Sequence, residues 1–184
     1  HMYPFKHLQD KSKEAEEWLI SELKGIRTGR ATPTLLDGVR AEVYGSRMPL
    51  NQVASIGTED PRTLRVVPFD RGTLKDIERA ISNADLGVGT AADDRGIRVI
   101  FPELTADRRM QLMKIAKTRM EDARVRMRGI RDEVWSDIQK QERDGLISED
   151  VKFKAKEQME KIVSETQKKF EELLKKKEEE IMGQ

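Results

Sequence analysis

"GIRTGRATP", residues 25–33, stands where an amphipathic helical pattern stops. Upstream, Leu8, Ala15, Trp18, Leu19, Leu23 and Ile26 recur, from Ala15 onward mostly at gaps of three or four, as in a helix with one buried stripe. Gly29 and Pro33 end that helix. A helix end needs the glycine and tolerates arginine, yet Arg27 and Arg30 set two guanidinium groups at the joint. Beyond the joint the hydrophobic period changes, and that change sets the domain plan.

From residue 31 to 104 short alternating runs replace the helical stripe. "GVRAEVYG" alternates Val39, Ala41 and Val43 with charged neighbours, "RTLRVVPF" alternates Leu64 with Val66, and "GIRVIF" is a third strand stopped by Pro102. Between the last two, Thr73 is expected to cap a short helix with Leu74, Ile77, Ala80 and Ile81 on one face. Strands with one short helix in so small a segment read as an α+β domain.

After Pro102 the helical period returns. Thr105 is an expected N-cap, and the seam Met113, Ala116, Met120, Ala123, Met127, Ile130, Val134 and Ile138 keeps alternating gaps of three and four. Asp144-Gly145 breaks it. Ser148 then caps a last helix with the stripe Val151, Ala155, Met159, Ile162, Thr166, Phe170, Leu173 and Leu174. The expected architecture is an α+β multidomain chain. Residues 1–30 and 105–184 form a long three-helix bundle, and 31–104 form a small α+β domain inserted after the first helix. The two crossings, Arg30, Ala31, Thr32, Pro33 and Thr34 on one side and Phe101, Pro102, Glu103, Leu104 and Thr105 on the other, are short and predict a restricted hinge.

Composition agrees with long solvated helices: 38% of residues are charged and 5% aromatic. With no cysteine, disulfides and thiolate-ligated metal sites are excluded. No apolar run is long enough to span a membrane. His1-Met2 reads as residual expression sequence, and Tyr3-Pro4-Phe5-Lys6 opens no leader, so a cytoplasmic protein is expected; a monomer is expected as well.

Net charge is +1, from 35 Lys and Arg against 34 Asp and Glu, so only the distribution is informative. Residues 108–131 carry nine basic and two acidic groups; residues 132–150 carry two basic and seven acidic. At ~100° per residue, Lys117, Arg124, Arg128, Arg131 and Trp135 fall within about 60° of one another, beside the apolar seam. Two readings stand. The arginine stems flank the seam and their heads pair with the neighbouring helix, or the guanidinium groups form a track for phosphates with Trp135 free to stack. Arg119 and Arg126 point the other way and are expected to make solvated ion pairs near Asp122 and Glu133. Met110, Met113, Met120 and Met127 are expected in the core.

Other motifs carry little. "ADLGVGTAADDRG" lacks the Lys-Ser/Thr of a phosphate loop, Asp93-Asp94 is a loop pair expected to face water, and His7 has no nucleophile to serve. No catalytic constellation, cofactor site or metal site is expected. The chain reads as a binding protein, with a helical adaptor for proteins and an enzyme hosted by the α+β domain as the competing classes.

"IRTGRATP", "YGSRMPLNQVASI", "FDRGTLKDIERAISNADLGVG", "GIRVIFPELTADRR" and "ARVRMRGIRDE" together resemble bacterial ribosome recycling factor in order and spacing, over essentially the whole chain. The resemblance implies an L-shaped molecule that enters the post-termination ribosome and lays its helical domain on large-subunit ribosomal RNA near the intersubunit bridges. Elongation factor G then meets the smaller domain and hydrolyses GTP, and the subunits part. It also implies RNA-contacting roles for Arg128 and Arg131 in "RMRGIR", Arg124 a turn earlier, Arg109 in "TADRR", and Arg27 and Arg30 at the joint. The sequence departs from the family pattern at three places. Asp132 replaces a second basic residue, Val43 a common tyrosine, and Gly89-Thr90 an Asn-Pro, the last predicting a looser loop.

Overall fold

The computed structural model describes residues 2–183; His1, read above as residual expression sequence, lies outside the described residues. The chain divides into two compact units. One runs to Arg27 and resumes from Asp107 to Met182; the other is Thr28–Ala106.

The first unit holds three helices: α1 (Lys6–Lys24), α4 (Ala106–Arg143) and α5 (Glu149–Ile181). Each buries one stripe, with Leu8, Ala15, Leu19 and Leu23 on α1, Leu112, Ala116, Met120, Ala123, Met127, Val134 and Ile138 on α4, and Ala155, Met159, Val163, Phe170, Leu174 and Ile181 on α5. The α4–α5 turn follows from its sequence. Gly145 takes φ +74°, its N–H bonds Glu142, and the Leu146 N–H bonds Gln141, which satisfies the last carbonyls of α4. Ser148 Oγ then accepts from the Val151 N–H at 3.2 Å, with Glu149 and Asp150 in the first turn to complement the helix dipole.

Cross-helix pairs set the directions. Glu22 meets Arg119, His7 meets Glu133, and Tyr3 Oη donates to Asp137 at 2.6 Å, so α4 runs antiparallel to α1. Glu171 meets Arg124 and Glu160 meets Arg131, so α5 runs antiparallel to α4. The methionine reading needs correction: at ~100° per residue Met110 points about 120° away from Ala116 and the buried stripe and is 71% exposed, and Met113, at the stripe's edge, is only half-buried. On α5 the buried residue is Val163 in place of Ile162, and Lys177 joins the stripe, its ammonium reaching Glu180 at 3.0 Å. Two buried hydroxyls, Ser12 and Thr166, donate back to the carbonyls of Leu8 and Ile162 and so cost the core no unpaired donor.

The second unit contains β1 (Arg40–Val43), β2 (Ser46–Pro49), a single helical turn α2 (Leu50–Val53), β3 (Ala54–Asp60), β4 (Thr63–Pro68), α3 (Leu74–Asn83), β5 (Gly89–Asp93) and β6 (Gly96–Ile100). β1 and β2 form a hairpin; the other four make an antiparallel sheet in the order β3-β4-β6-β5. Leu64 and Val66 oppose Val99 and Ile97 across the central pair, and all four are fully buried with Ile77 and Ile81 of α3. β2, β3 and β5 add to the three strands expected. Gly89-Thr90 belongs to β5, paired with Ile100 and Val99, and is not a loose loop.

Two turns depend on unusual backbone. Tyr44 (φ 51°) and Gly45 (φ 80°) close the β1–β2 hairpin as its two loop residues, a geometry matched to strand twist. Gly96 sits at φ +127°, and a Cβ there would lie 2.4 Å from the Val66 carbonyl oxygen. The α3 cap differs from expectation. The Thr73 hydroxyl donates to the Asp70 carbonyl, and it is the Asp70 carboxylate that accepts the Gly72 N–H, while also taking the Tyr44 hydroxyl. These bonds, Tyr44's first, hold the Asp70 pKa below its usual value. Asp93 likewise does not face water as a spare loop acid, since Arg65 holds both its oxygens at 2.8 and 2.9 Å.

Both ends of this unit are fastened to the β3–β4 turn. The Ala31 N–H donates to the Pro61 carbonyl at 2.8 Å and the Phe101 N–H to the Arg62 carbonyl at 2.8 Å. Arg62 also reaches Glu103 at 3.9 Å, Thr32 and Thr34 share a hydroxyl bond of 2.9 Å, and Pro33 opens a short tight helical turn to Leu36. Leu104 packs where a Cβ on Gly29 (φ +78°) would stand, 3.1 Å from its Cγ.

Candidate nucleic-acid interface

α4 carries the basic stripe because its seam residues recur at three and four. A cation one position beyond a seam residue therefore flanks the core with its stem and turns its head to the rim. On that rim the three central arginines differ. Arg124 pairs with Glu121 at 3.2 Å and with Glu171 of α5 at 2.7 Å. Arg131 gives Nε to Glu160 of α5 at 2.8 Å, brings a second nitrogen to the same oxygen at 2.5 Å, and reaches Asp132 at 3.2 Å. The Glu160 carboxylate raises the Arg131 pKa further above its ordinary value, so its charge is permanent. Arg128, between them, is exposed and makes no ion pair or hydrogen bond among the described residues.

The stripe is therefore not uniform. Arg124 and Arg131 have their heads on the neighbouring helix; Arg128 presents all five donors to solvent. Asp132, the departure from the family pattern, lies against Arg131 and competes for the same guanidinium. Glu160 and Glu171 escaped the sequence reading because they lie 29 and 47 residues from their partners, outside any helical spacing rule. Trp135 is half-buried, with the ammonium groups of Lys152 and Lys156 at 5.8 and 5.1 Å from its ring, so α5 cations occupy one face.

Arg119 and Arg126 do not make the solvated pairs expected with Asp122 and Glu133. They face α1, where Arg119 meets Glu22 at 3.8 Å and the Arg126 guanidinium stacks 4.0 Å from the Trp18 ring centroid. Arg109, near the start of α4, is half-buried, and its Nε is enclosed without a partner among the described residues, as is that of Arg124. Arg27 is exposed past the end of α1. Arg30 belongs to the other unit, one residue before the anchored Ala31.

In the α+β unit the outer sheet face carries one charge from each strand. Glu59 of β3 bridges Arg65 of β4 (2.9 Å) and Arg98 of β6 (2.8 Å), and Asp93 of β5 holds Arg65 from the other side. Arg65 and Arg98 stand directly opposite in the ladder, a repulsive register that the two acids neutralise. Among the described residues there is no cluster of ligands fit for a metal ion, and no helix is long and apolar enough to cross a membrane.

The chain is similar to known proteins over nearly its whole length. The family model for ribosome recycling factor matches residues 19–182. The ribosome-recycling factors of Symbiobacterium thermophilum and Rickettsia bellii are each 42% identical over 177 residues, covering 96% of this chain and 96% and 95% of theirs. A solution structure of the ribosome recycling factor superposes with a TM-score of 0.61 at 33% identity, covering 97% of this chain and 95% of that one. A second structure, of the T. thermophilus ribosome recycling factor and the E. coli elongation factor G bound to the E. coli post-termination complex, gives 0.55 at 37% identity over 95% and 94%. The matched span runs through both the bundle and the insertion, and this chain belongs to the ribosome recycling factor family.

Proposed function

We propose that this protein binds the post-termination ribosome in the cytoplasm as a monomer. With elongation factor G, and GTP hydrolysis by that factor, it splits the ribosome into subunits, releasing mRNA and tRNA for another round of translation. The observation that carries this reading is a family match that spans both units. The protein hydrolyses nothing itself; its contribution is grip and leverage. The grip is RNA-phosphate contact by the bundle, with Arg128 as the open contact, Arg124 and Arg131 beside it, and Arg109 and Arg27 nearer the joint. Arg30 adds a contact from the insertion, which is the unit that meets elongation factor G.

The leverage needs a pivot in the crossings Arg30–Thr34 and Phe101–Thr105. Because Ala31 and Phe101 are bonded to the β3–β4 turn, rotation concentrates in Thr28–Arg30 and Pro102–Thr105. Light scattering of post-termination ribosomes mixed with this protein, elongation factor G and GTP tests the reading. A scattering drop that requires every component supports it. No drop, with elongation factor G of the same source, transfers the chain to the protein-adaptor class.

A further inference from the structure

The two carboxylates that α5 lays on the arginine stripe do more than fasten the bundle. We infer that Glu160 and Glu171 are specificity-determining residues for RNA, acting as internal competitors for phosphate; this rests on the RNA-binding reading above. The pairs are poorly placed to be stabilising elements. Arg124 and Arg131 keep 30% of their side-chain surface, Glu160 43% and Glu171 60%, an exposure at which ion pairs contribute little to folding. They are well placed to be exchanged. A phosphate oxygen can reach the same guanidinium edge and replace a carboxylate with equivalent charge-assisted bonds.

Consider the stripe as an RNA strand meets it. Arg128 offers one unoccupied guanidinium. About one helical turn to either side the next guanidinium is already neutralised: Arg124 by Glu171 and Glu121, Arg131 by Glu160 and Asp132. A single-stranded or loosely shaped RNA gains the Arg128 contact and meets two carboxylates beside it. Only an RNA whose fold fixes phosphates at all three positions at once recovers, through three simultaneous contacts, what displacement of the carboxylates costs. The acids therefore suppress weak, non-specific RNA binding, and the rigid target overcomes them.

The test measures affinity for an oligouridylate at low salt and ribosome splitting in the same preparations. Glu160→Gln combined with Glu171→Gln removes the competing charges while keeping side-chain length. Glu165→Gln, an exposed residue elsewhere on α5 with no ion pair among the described residues, is the control for net charge. One unit charge acting over roughly 5 Å of water is worth about fourfold in affinity. The double variant should thus bind oligouridylate about fifteenfold tighter, and the control less than about twofold. Added oligouridylate should inhibit splitting by the double variant well before it inhibits the unmodified protein.

Equal gains in the control, or none in the double variant, would overturn the inference. So would weaker ribosome binding by the double variant with oligouridylate binding unchanged, since the acids would then be positioning the arginines. Each single Gln variant, checked for fold by circular dichroism, stands in if the pair disturbs the bundle. Failure of the functional reading is separate: it appears as an absence of splitting by the unmodified protein, whatever the oligouridylate affinities.

Discussion

Replacing Arg128 with alanine isolates the contact on which the RNA reading leans most. Arg128 is exposed, makes no bond among the described residues, and lies in mid-helix, where alanine is the best helix former. Its loss should leave folding stability unchanged. If the guanidinium meets one phosphate, the slope of log K against log salt should fall in magnitude by about 0.7–0.9. Between about 0.05 and 0.2 M salt, the binding defect should then shrink by roughly threefold. Arg131→Ala should behave differently. It leaves Glu160 and Asp132 unpaired on the rim, costs folding about 1 kcal/mol or less, and weakens ribosome binding partly through the uncovered negative charge. Sedimentation of each variant with vacant ribosomes across a salt series measures both slopes. A normally folded Arg128→Ala protein with an unchanged slope would refute the placement of phosphate on this face.

Three further outcomes follow from packing and charge. Gly96→Ala forces a Cβ against the Val66 carbonyl at φ +127°, so the α+β unit should lose about 3 kcal/mol or more in thermal or urea unfolding; a loss under about 1 kcal/mol would contradict that geometry. Phe170→Ala, emptying a fully buried site on α5, should cost the bundle about 3–5 kcal/mol, measured by helix-specific circular dichroism. The Glu59 and Asp93 carboxyls are held below their ordinary values of 4.5 and 3.8, in each case first by the hydrogen bond from Arg65. Their stabilisation is therefore complete above those values and is lost as pH falls through the depressed folded-state values. Melting temperature of the α+β unit should drop on acidification below about pH 4.5, and Arg65→Met should flatten that dependence; parallel profiles for the two proteins would exclude the network as the cause.

The helices were legible because their signal is periodic and local. The α4 seam from Ala116 to Ile138 follows from gaps of three and four, except that Ile130, expected in it, is only half-buried. Where a choice between adjacent apolar residues had to be made, as between Ile162 and Val163, periodicity alone could not make it, and Lys177 was hidden by its charge. β3 and β5 were illegible for another reason. Beyond its first residue β3 is mostly exposed, and β5 contributes no buried side chain, so each is held by backbone pairing that leaves no hydrophobic alternation. The arginine stripe was placed on its face by helical geometry, but what each head touches depended on α5. Sequence spacing has no access to a carboxylate delivered by an antiparallel neighbour.

The fastening of both ends of the insertion to one turn, Ala31 to Pro61 and Phe101 to Arg62, also bears on how the molecule is made. On a growing chain, α1 emerges first but has no partner until α4 begins at Ala106. The insertion, by contrast, is complete once β6 has emerged, and it needs nothing outside itself to close its sheet and draw its two ends to one place. At synthesis rates of about 5–20 residues per second, the Leu8, Leu19 and Leu23 stripe waits roughly 4–16 s for α4. The insertion folding first turns a long, floppy gap between α1 and α4 into a short closed clasp. The loop-closure cost of bringing those two distant helices together is then largely met before they touch.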